Sequence, residues 1–316
     1  MPTAFLFPGQ GSQTVGMGRA LADAHAPARA LFQEVDEALG EPLTRIMWEG
    51  PAQTLTQTAN AQPALMAVSL AVVRVLEAAG VQLAERVRYV AGHSLGEYSA
   101  LAAAGALPVA DAARLLRLRG RAMQDAVPLG QGAMAAILGL EADEVAALAR
   151  EAASEHEVCT PANDNAPGQV VLSGTKPAVE RAMELAKARG AKRALMLDVS
   201  APFHCALMAP AQEAMRAALA DTTLSRPCVP LVANVTARPL ETPSEIAARL
   251  VEQVTAPVRW RESMQFLADD GITEVAELGV GKVLSGLARR SQPQWTCHAL
   301  GTPDTVDAFL TGESGG

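Results

Sequence analysis

The stretch Ala91-Gly92-His93-Ser94-Leu95-Gly96-Glu97-Tyr98 constrains this chain more than any other. Val87 to Ala91 ahead of it reads as a short buried strand, and Glu97 to Ala104 behind it is rich in helix formers, so the serine falls on a sharp strand-to-helix turn. Two glycines flank Ser94 in a G-x-S-x-G spacing, where missing Cβ atoms let strand and helix approach and let the serine adopt a strained backbone. The Leu95 amide N–H, at the start of the new helix, points at any negative charge that develops there. A serine hydroxyl is a poor nucleophile at neutral pH unless a base lies in hydrogen-bond reach and donors await the oxyanion it creates. The stretch is therefore either an activated nucleophile or a serine-containing turn between two packed elements.

At 316 residues the chain suffices for two domains, or for one large domain with an insert. Alanine supplies much of the 49% hydrophobic content and aromatics only 3%, which suits an α/β protein with close helix contacts. A net charge of −8 argues against nucleic acid or an anionic membrane as a general partner. Thr3 to Phe7 is strand-like with no basic leader, and no apolar run approaches the ~18 residues of a membrane span, so a soluble cytoplasmic protein is expected. Cys159, Cys205, Cys228 and Cys297 lack C-x-x-C spacing, which indicates neither a zinc site nor a disulfide framework and leaves reduced thiols.

After the first strand, Gly9-Gln10-Gly11-Ser12-Gln13 forms either a nest of amide N–H groups for an anion or a plain connecting loop. Helical patterns fill 19–39, and 56–79 holds two more, the second opened by Asn60-Ala61-Gln62-Pro63. In a helix from Val109 to Ala126, Arg114, Arg117 and Arg121 share one face and read as a solvated basic stripe. Arg119 points elsewhere; it must snorkel or meet an anion, and its planar fork matches a carboxylate.

From Pro128 the element order becomes β-α-β-β-α-β, the split unit of ferredoxin-like domains, over 128–197. The chain returns through Val199 to His204, and His204 stands out among the histidines between a proline turn and a helix beginning at Leu207. His25 and His156 read as surface residues and His298 as a core one, while His93 adjoins the serine but points to the other side of the turn. Late in the chain, Gly279-Val280-Gly281-Lys282 fits neither a phosphate-binding loop nor a dinucleotide fingerprint, and 311–316 reads as a frayed end.

Gly9-Gln10-Gly11-Ser12-Gln13, the Gly92 to Tyr98 turn, Arg119-Gly120-Arg121, Pro202-Phe203-His204, and Gln253 with Pro257-Val258 together resemble the malonyl-CoA:acyl carrier protein transacylases, acyltransferases of bacterial fatty-acid synthesis. The motifs stand in family order from Phe5 to about Leu300. The resemblance implies an α/β fold: a large hydrolase-like domain with a mainly parallel sheet (1–127 and 198–306), interrupted by a small ferredoxin-like domain (128–197) and followed by a tail (307–316). The active site would lie in the cleft between the domains. It implies Ser94 as nucleophile, His204 as its base, and the Gln10 and Leu95 amides as the oxyanion hole. Arg119 would hold the malonyl carboxylate and the Gln253 main chain would orient His204, with Phe203 and His93 also at the substrate. The family uses a Ser-His dyad without an acidic third member, and the sequence offers no obvious aspartate for that place. Phe203 stands where some bacterial members carry serine, which bears on acyl-chain selectivity. Val280 replaces a frequent proline, which bears on loop stiffness.

The implied reaction moves a malonyl group from malonyl-CoA to the pantetheine thiol of acyl carrier protein through a malonyl-serine ester, with ping-pong kinetics and no metal or redox cofactor. A monomer is the default. Charge clustering makes Lys187, Arg189, Lys192 and Arg193, or Arg289-Arg290, the candidates for docking an acidic carrier. The alternatives are a serine esterase or thioesterase, an acyltransferase of a polyketide pathway, or a non-enzymatic carrier-binding protein with an inert serine turn.

Overall fold

The computed structural model describes residues 2–312; residues 313–316 of the expected tail lie outside the described residues. Its strands are β1 (Thr3–Phe7), β2 (Tyr89–Gly92), β3 (Gly132–Leu138), β4 (Cys159–Ala166), β5 (Gln169–Thr175), β6 (Arg193–Met196), β7 (Leu231–Val232), β8 (Pro239–Leu240), β9 (Glu274–Leu278) and β10 (Thr296–Leu300). One sheet has six strands in the order β10-β9-β1-β2-β7-β8, parallel except at its β7–β8 edge. Every residue of β1 and β2 is buried, as expected of parallel strands covered on both faces. The other sheet is antiparallel, in the order β4-β5-β3-β6. Helices Ala142–Ala152 and Lys176–Ala188 cover it, and small residues such as Ala135, Ala149, Ala178 and Ala182 let them sit close. The fold is thus a large hydrolase-like α/β unit with a mainly parallel sheet, interrupted by a small ferredoxin-like one.

Three sequence expectations need correction. Residues 58–78 form one helix, not two, with Pro63 inside it. Proline offers no N–H to the Ala59 carbonyl one turn back, and that carbonyl instead accepts from Arg117 Nη1 at 2.8 Å. This helix also has the length and hydropathy of a membrane span, with an 18-residue window of mean hydropathy 1.4, contrary to the reading that no such run exists. Because 89% of that window is buried inside the fold, it serves here as a core helix. Arg117, finally, is not part of a solvated stripe: it is buried, bonds Asn60 Oδ1, and pairs with Glu41 at 2.6 Å. Arg114 and Arg121 are exposed.

The expected tail from 307 is partly ordered structure, since helix Pro303–Thr311 runs through it and buries Val306. His298, in β10, is half-buried with its ring on Glu274 at 3.0 Å.

The carboxyl ends of β1 and β2 lie side by side, the place where parallel sheets present ligand sites. The small sheet is tied to this region by backbone bonds from Val258 N–H to Ala162 and from Asp164 N–H to Val258, and by the Arg261–Asp164 ion pair at 2.8 Å. A cleft is left between the two sheets.

Candidate active site

At the end of β2 the chain turns so tightly that only glycine fits on either side of Ser94. A Cβ on Gly92 would lie 1.9 Å from the Gly96 carbonyl carbon, and one on Gly96 would lie 2.2 Å from the Phe7 carbonyl oxygen. Ser94 itself has φ 52°, a left-handed conformation that costs a serine free energy and must be held by its surroundings. Asn234 does much of the holding: its Oδ1 accepts from the Ser94 amide at 2.7 Å, and its Nδ2 donates to the Gly92 carbonyl at 2.6 Å.

His204, also left-handed at φ 59°, comes from the loop ahead of helix Ala209–Ala220. Its Nε2 is 2.8 Å from Ser94 Oγ, and its Nδ1–H donates to the Gln253 carbonyl at 2.9 Å. That second bond leaves Nε2 as the acceptor facing the hydroxyl. Burial, reinforced by the Arg119 charge and against the pull of the Gln253 carbonyl, brings the imidazole pKa down to about 3. His204 is therefore neutral at pH 7 and able to take a proton.

Arg119 is 1% exposed. Its Nη1 donates to Gln62 Oε1 at 2.9 Å, and its Nη2 donates to Gln253 Oε1 at 2.8 Å and to Ser94 Oγ at 3.2 Å. The guanidinium lies 5.9 Å over the Tyr98 ring. Burial lowers its pKa, opposed by Tyr98 and Glu97, and each of these hydrogen-bond acceptors is neutral. The nearby carboxylate, Glu97, shares no hydrogen bond with Arg119 and is linked to it through Gln253, although the two charges act on each other. One Glu97 oxygen accepts from the Asn234 amide at 2.6 Å and the other from Gln253 Nε2, which also donates to the Ser94 carbonyl at 2.9 Å. Burial pushes the Glu97 carboxyl up to about 8, opposed by those donors and by Arg119.

Ser94 thus touches His204, Arg119 and Gln253 directly, and Gln253 also bonds both His204 and Arg119. They border a cavity of about 590 Å³ whose wall includes Gln10, Leu95, Phe203 and His93, although Gln253 itself lies behind it. Among the described residues, neither the Gln10 nor the Leu95 amide N–H has a hydrogen-bond partner. His93 is held at its ring by two residues outside the cavity wall. It lines the same cavity as Ser94, with Nε2 2.9 Å from Asn165 Oδ1 of β4 and its ring 5.4 Å from that of Trp260.

Sequence reasoning missed Gln62, Glu97 and Asn234. Each is a polar side chain in an apolar setting: Gln62 in the buried core helix, Glu97 in a short helix with no other charge, and Asn234 between Ala233 and Val235. That isolation was the available signal. The charge clusters away from the cleft are mostly engaged: Lys187 pairs with Glu184 at 2.7 Å and Arg189 with Glu151, while Arg290 bonds Gln169 at 2.6 Å and Arg289 the Cys297 carbonyl at 3.0 Å. Lys192 and Arg193 border a smaller surface cavity with Arg290 and Glu141. Among the described residues no three His, Cys, Asp or Glu side chains gather as metal ligands.

A strand-turn-helix serine at the carboxyl end of a parallel sheet, faced by a neutral histidine and a buried cation, is an arrangement suited to acyl transfer. The family model described as the acyl transferase domain matches residues 4–291, and the chain belongs to that family. Within the family its relatives are more narrowly defined. The malonyl CoA-acyl carrier protein transacylase of Escherichia coli (strain K12) is 47% identical over 307 residues, covering 97% of this chain and 98% of that one. The crystal structure of acyl-carrier-protein-S-malonyltransferase from Bartonella henselae superposes with a TM-score of 0.96 at 51% identity, covering 99% of both chains. A malonyl-transacylase solved in complex with its type II PKS acyl-carrier protein gives a TM-score of 0.95 at 40% identity, covering 99% of this chain and 100% of that one.

Proposed function

We propose that this chain transfers the malonyl group of malonyl-CoA to the pantetheine thiol of acyl carrier protein through an ester on Ser94. The observation that carries the reading is Arg119: a buried cation with only neutral acceptors, 3.2 Å from the Ser94 hydroxyl, in a cavity that can admit an acyl group. A malonyl carboxylate supplies the anion such a site lacks, and its planar oxygens match the guanidinium fork.

Anchored there, the thioester carbonyl sits beside Ser94 and attack becomes effectively unimolecular. Ser94 Oγ adds to the carbonyl carbon as His204 Nε2 takes the hydroxyl proton, while the Gln10 and Leu95 amides hold the oxyanion, each worth roughly 3 kcal/mol. Collapse breaks the carbon-sulfur bond, and the CoA thiolate leaves with the proton from His204. The carrier thiol then attacks the malonyl ester by the reverse sequence, which gives ping-pong kinetics. Nucleophile, base and oxyanion donors are all protein groups, so this route calls on no cofactor beyond the CoA thioester itself. The division into 1–127 with 198–306, and 128–197, puts the reaction in the cleft where the two sheets meet. Four free cysteines and a CoA thioester substrate fit a cytoplasmic setting.

A hydrolase acting on neutral esters would have no use for the Arg119 charge. Brief mixing with malonyl-CoA followed by intact-mass measurement tests the proposal. A single malonyl adduct is expected on the wild type and none on Ser94→Ala. An adduct that survives in Ser94→Ala, or its absence from the wild type, overturns the mechanism.

A further inference from the structure

Gln253 holds two parts of the site at once. Its main-chain carbonyl receives His204 Nδ1–H, and its side-chain Oε1 receives Arg119 Nη2. A side-chain amide can sit either way round, and only one way presents oxygen to the guanidinium. What selects that way is the partner of Nε2. One candidate is the Ser94 carbonyl at 2.9 Å; the other is the carboxylate of Glu97, itself 1% exposed and pinned by the Asn234 amide on its second oxygen.

We infer that Glu97 is a positioning residue for acyl selection: by accepting from Gln253 Nε2 it fixes the amide so that Oε1 faces Arg119, and so aims the guanidinium at the acyl carboxylate. The inference rests on the acyl-transfer reading above and extends it to a residue that touches no substrate. Both Glu97 oxygens meet N–H donors, and a proton on either would displace one of them, so although burial favours the acid the geometry is that of the ionised carboxylate, which accepts on both oxygens. An amide at position 97 cannot satisfy both. If its oxygen stays on the Asn234 N–H, its NH₂ meets the NH₂ of Gln253. The relief is rotation of the Gln253 amide, which turns an NH₂ toward Arg119 and an oxygen toward the Ser94 carbonyl. The main-chain bond from Gln253 to His204 does not depend on which way the side chain sits, so the defect falls on the clamp rather than on the base. The same Glu97 carboxylate, through Asn234, braces the Ser94 turn; loss of that bracing alone would slow every acyl donor alike.

The test compares single-turnover acylation of Ser94 by malonyl-CoA and by acetyl-CoA in the wild type, Glu97→Gln and Gln253→Met, and in the double variant, with thermal unfolding to confirm folding. Glu97→Gln is expected to lower the malonyl-to-acetyl rate ratio roughly tenfold or more, and the double variant to lower it no further than Gln253→Met alone. Should Glu97→Gln fail to fold, Glu97→Asp keeps the charge but shortens the reach to Gln253, and a smaller loss of the same ratio is expected. An unchanged ratio in a folded Glu97 variant, an equal loss for both donors, or additivity with Gln253→Met overturns the inference while leaving the acyl-transfer reading intact. A wild type that forms no malonyl adduct removes both.

Discussion

Arg117 and Arg119 are two residues apart on helix Val109–Asp125, both buried, yet their surroundings differ in one respect. Arg117 meets a carboxylate directly, Glu41 at 2.6 Å, along with the Ala59 carbonyl that Pro63 leaves without a helical partner. Its charge is already answered within the protein. Arg119 bonds only to two amide oxygens and a hydroxyl, so its charge has no direct counterion. Taking a cation out of water is costly unless an anion and further hydrogen bonds compensate it. The difference distinguishes a cation that completes the fold from one held ready for an anion that arrives from outside.

The comparison breaks most visibly through activity. Arg119→Ala is expected to lower kcat/KM for malonyl-CoA by roughly a thousandfold, about 4 kcal/mol of transition-state stabilisation, while improving use of acetyl-CoA. Steady-state kinetics with both donors checks this, and an unchanged preference between them would rule out the clamp. Folding stability should change little, because the substitution also removes a buried cation that lacks a direct counterion.

Arg117→Met should do the reverse. It leaves the Ala59 carbonyl without its donor and unpairs Glu41, which is 41% exposed and so regains water at part of the cost. A stability loss of about 2 kcal/mol in urea is expected, with the malonyl-to-acetyl preference unmoved. If selectivity followed Arg117 as well, the division between the two arginines would fail.

The two residues also show what could be read from the chain alone. Helical spacing separated Arg119 from its neighbours because direction around a helix is local geometry. The same spacing misassigned Arg117, since its burial is decided by Glu41 and by helix Thr58–Ala78, far away in sequence. The Gly92 to Gly96 turn was legible because glycine carries the constraint in its own chemistry. The small unit was legible from its order of elements, and its sheet order β4-β5-β3-β6 is that of the split βαβ pattern. The roles of Asn234 and Glu97 were not, because the hydrogen bonds that join Asn234 to Ser94 and to Glu97 span 140 and 137 residues of sequence and follow no periodicity. Pro63 misled for a related reason. A proline ordinarily opens or breaks a helix, and here a distant guanidinium takes the carbonyl it strands.

The finest contrast lies in how each arginine acts on His204. The imidazole pKa is held at about 3 first by burial and second by Arg119, and Arg117 is not among its causes. Acetyl-CoA, which has no carboxylate to cover Arg119, is the donor with which to see this. Wild-type acylation by acetyl-CoA should show no fall near pH 6.5, the ordinary histidine value, because folded His204 remains a free base well below it. In Arg119→Met the acid limb should move up, but stay below 6.5 because burial, the larger cause, remains; in Arg117→Met it should not move. Stability carries the same sign. An unfolded histidine gains a proton below about 6.5 while the folded one resists it, so stability present above that pH is lost as pH falls toward 3. Replacing His204 with glutamine should flatten part of that acid loss in urea titrations. A limb that shifts equally in both arginine variants would mean that His204 responds to net charge rather than to the one guanidinium sharing its serine.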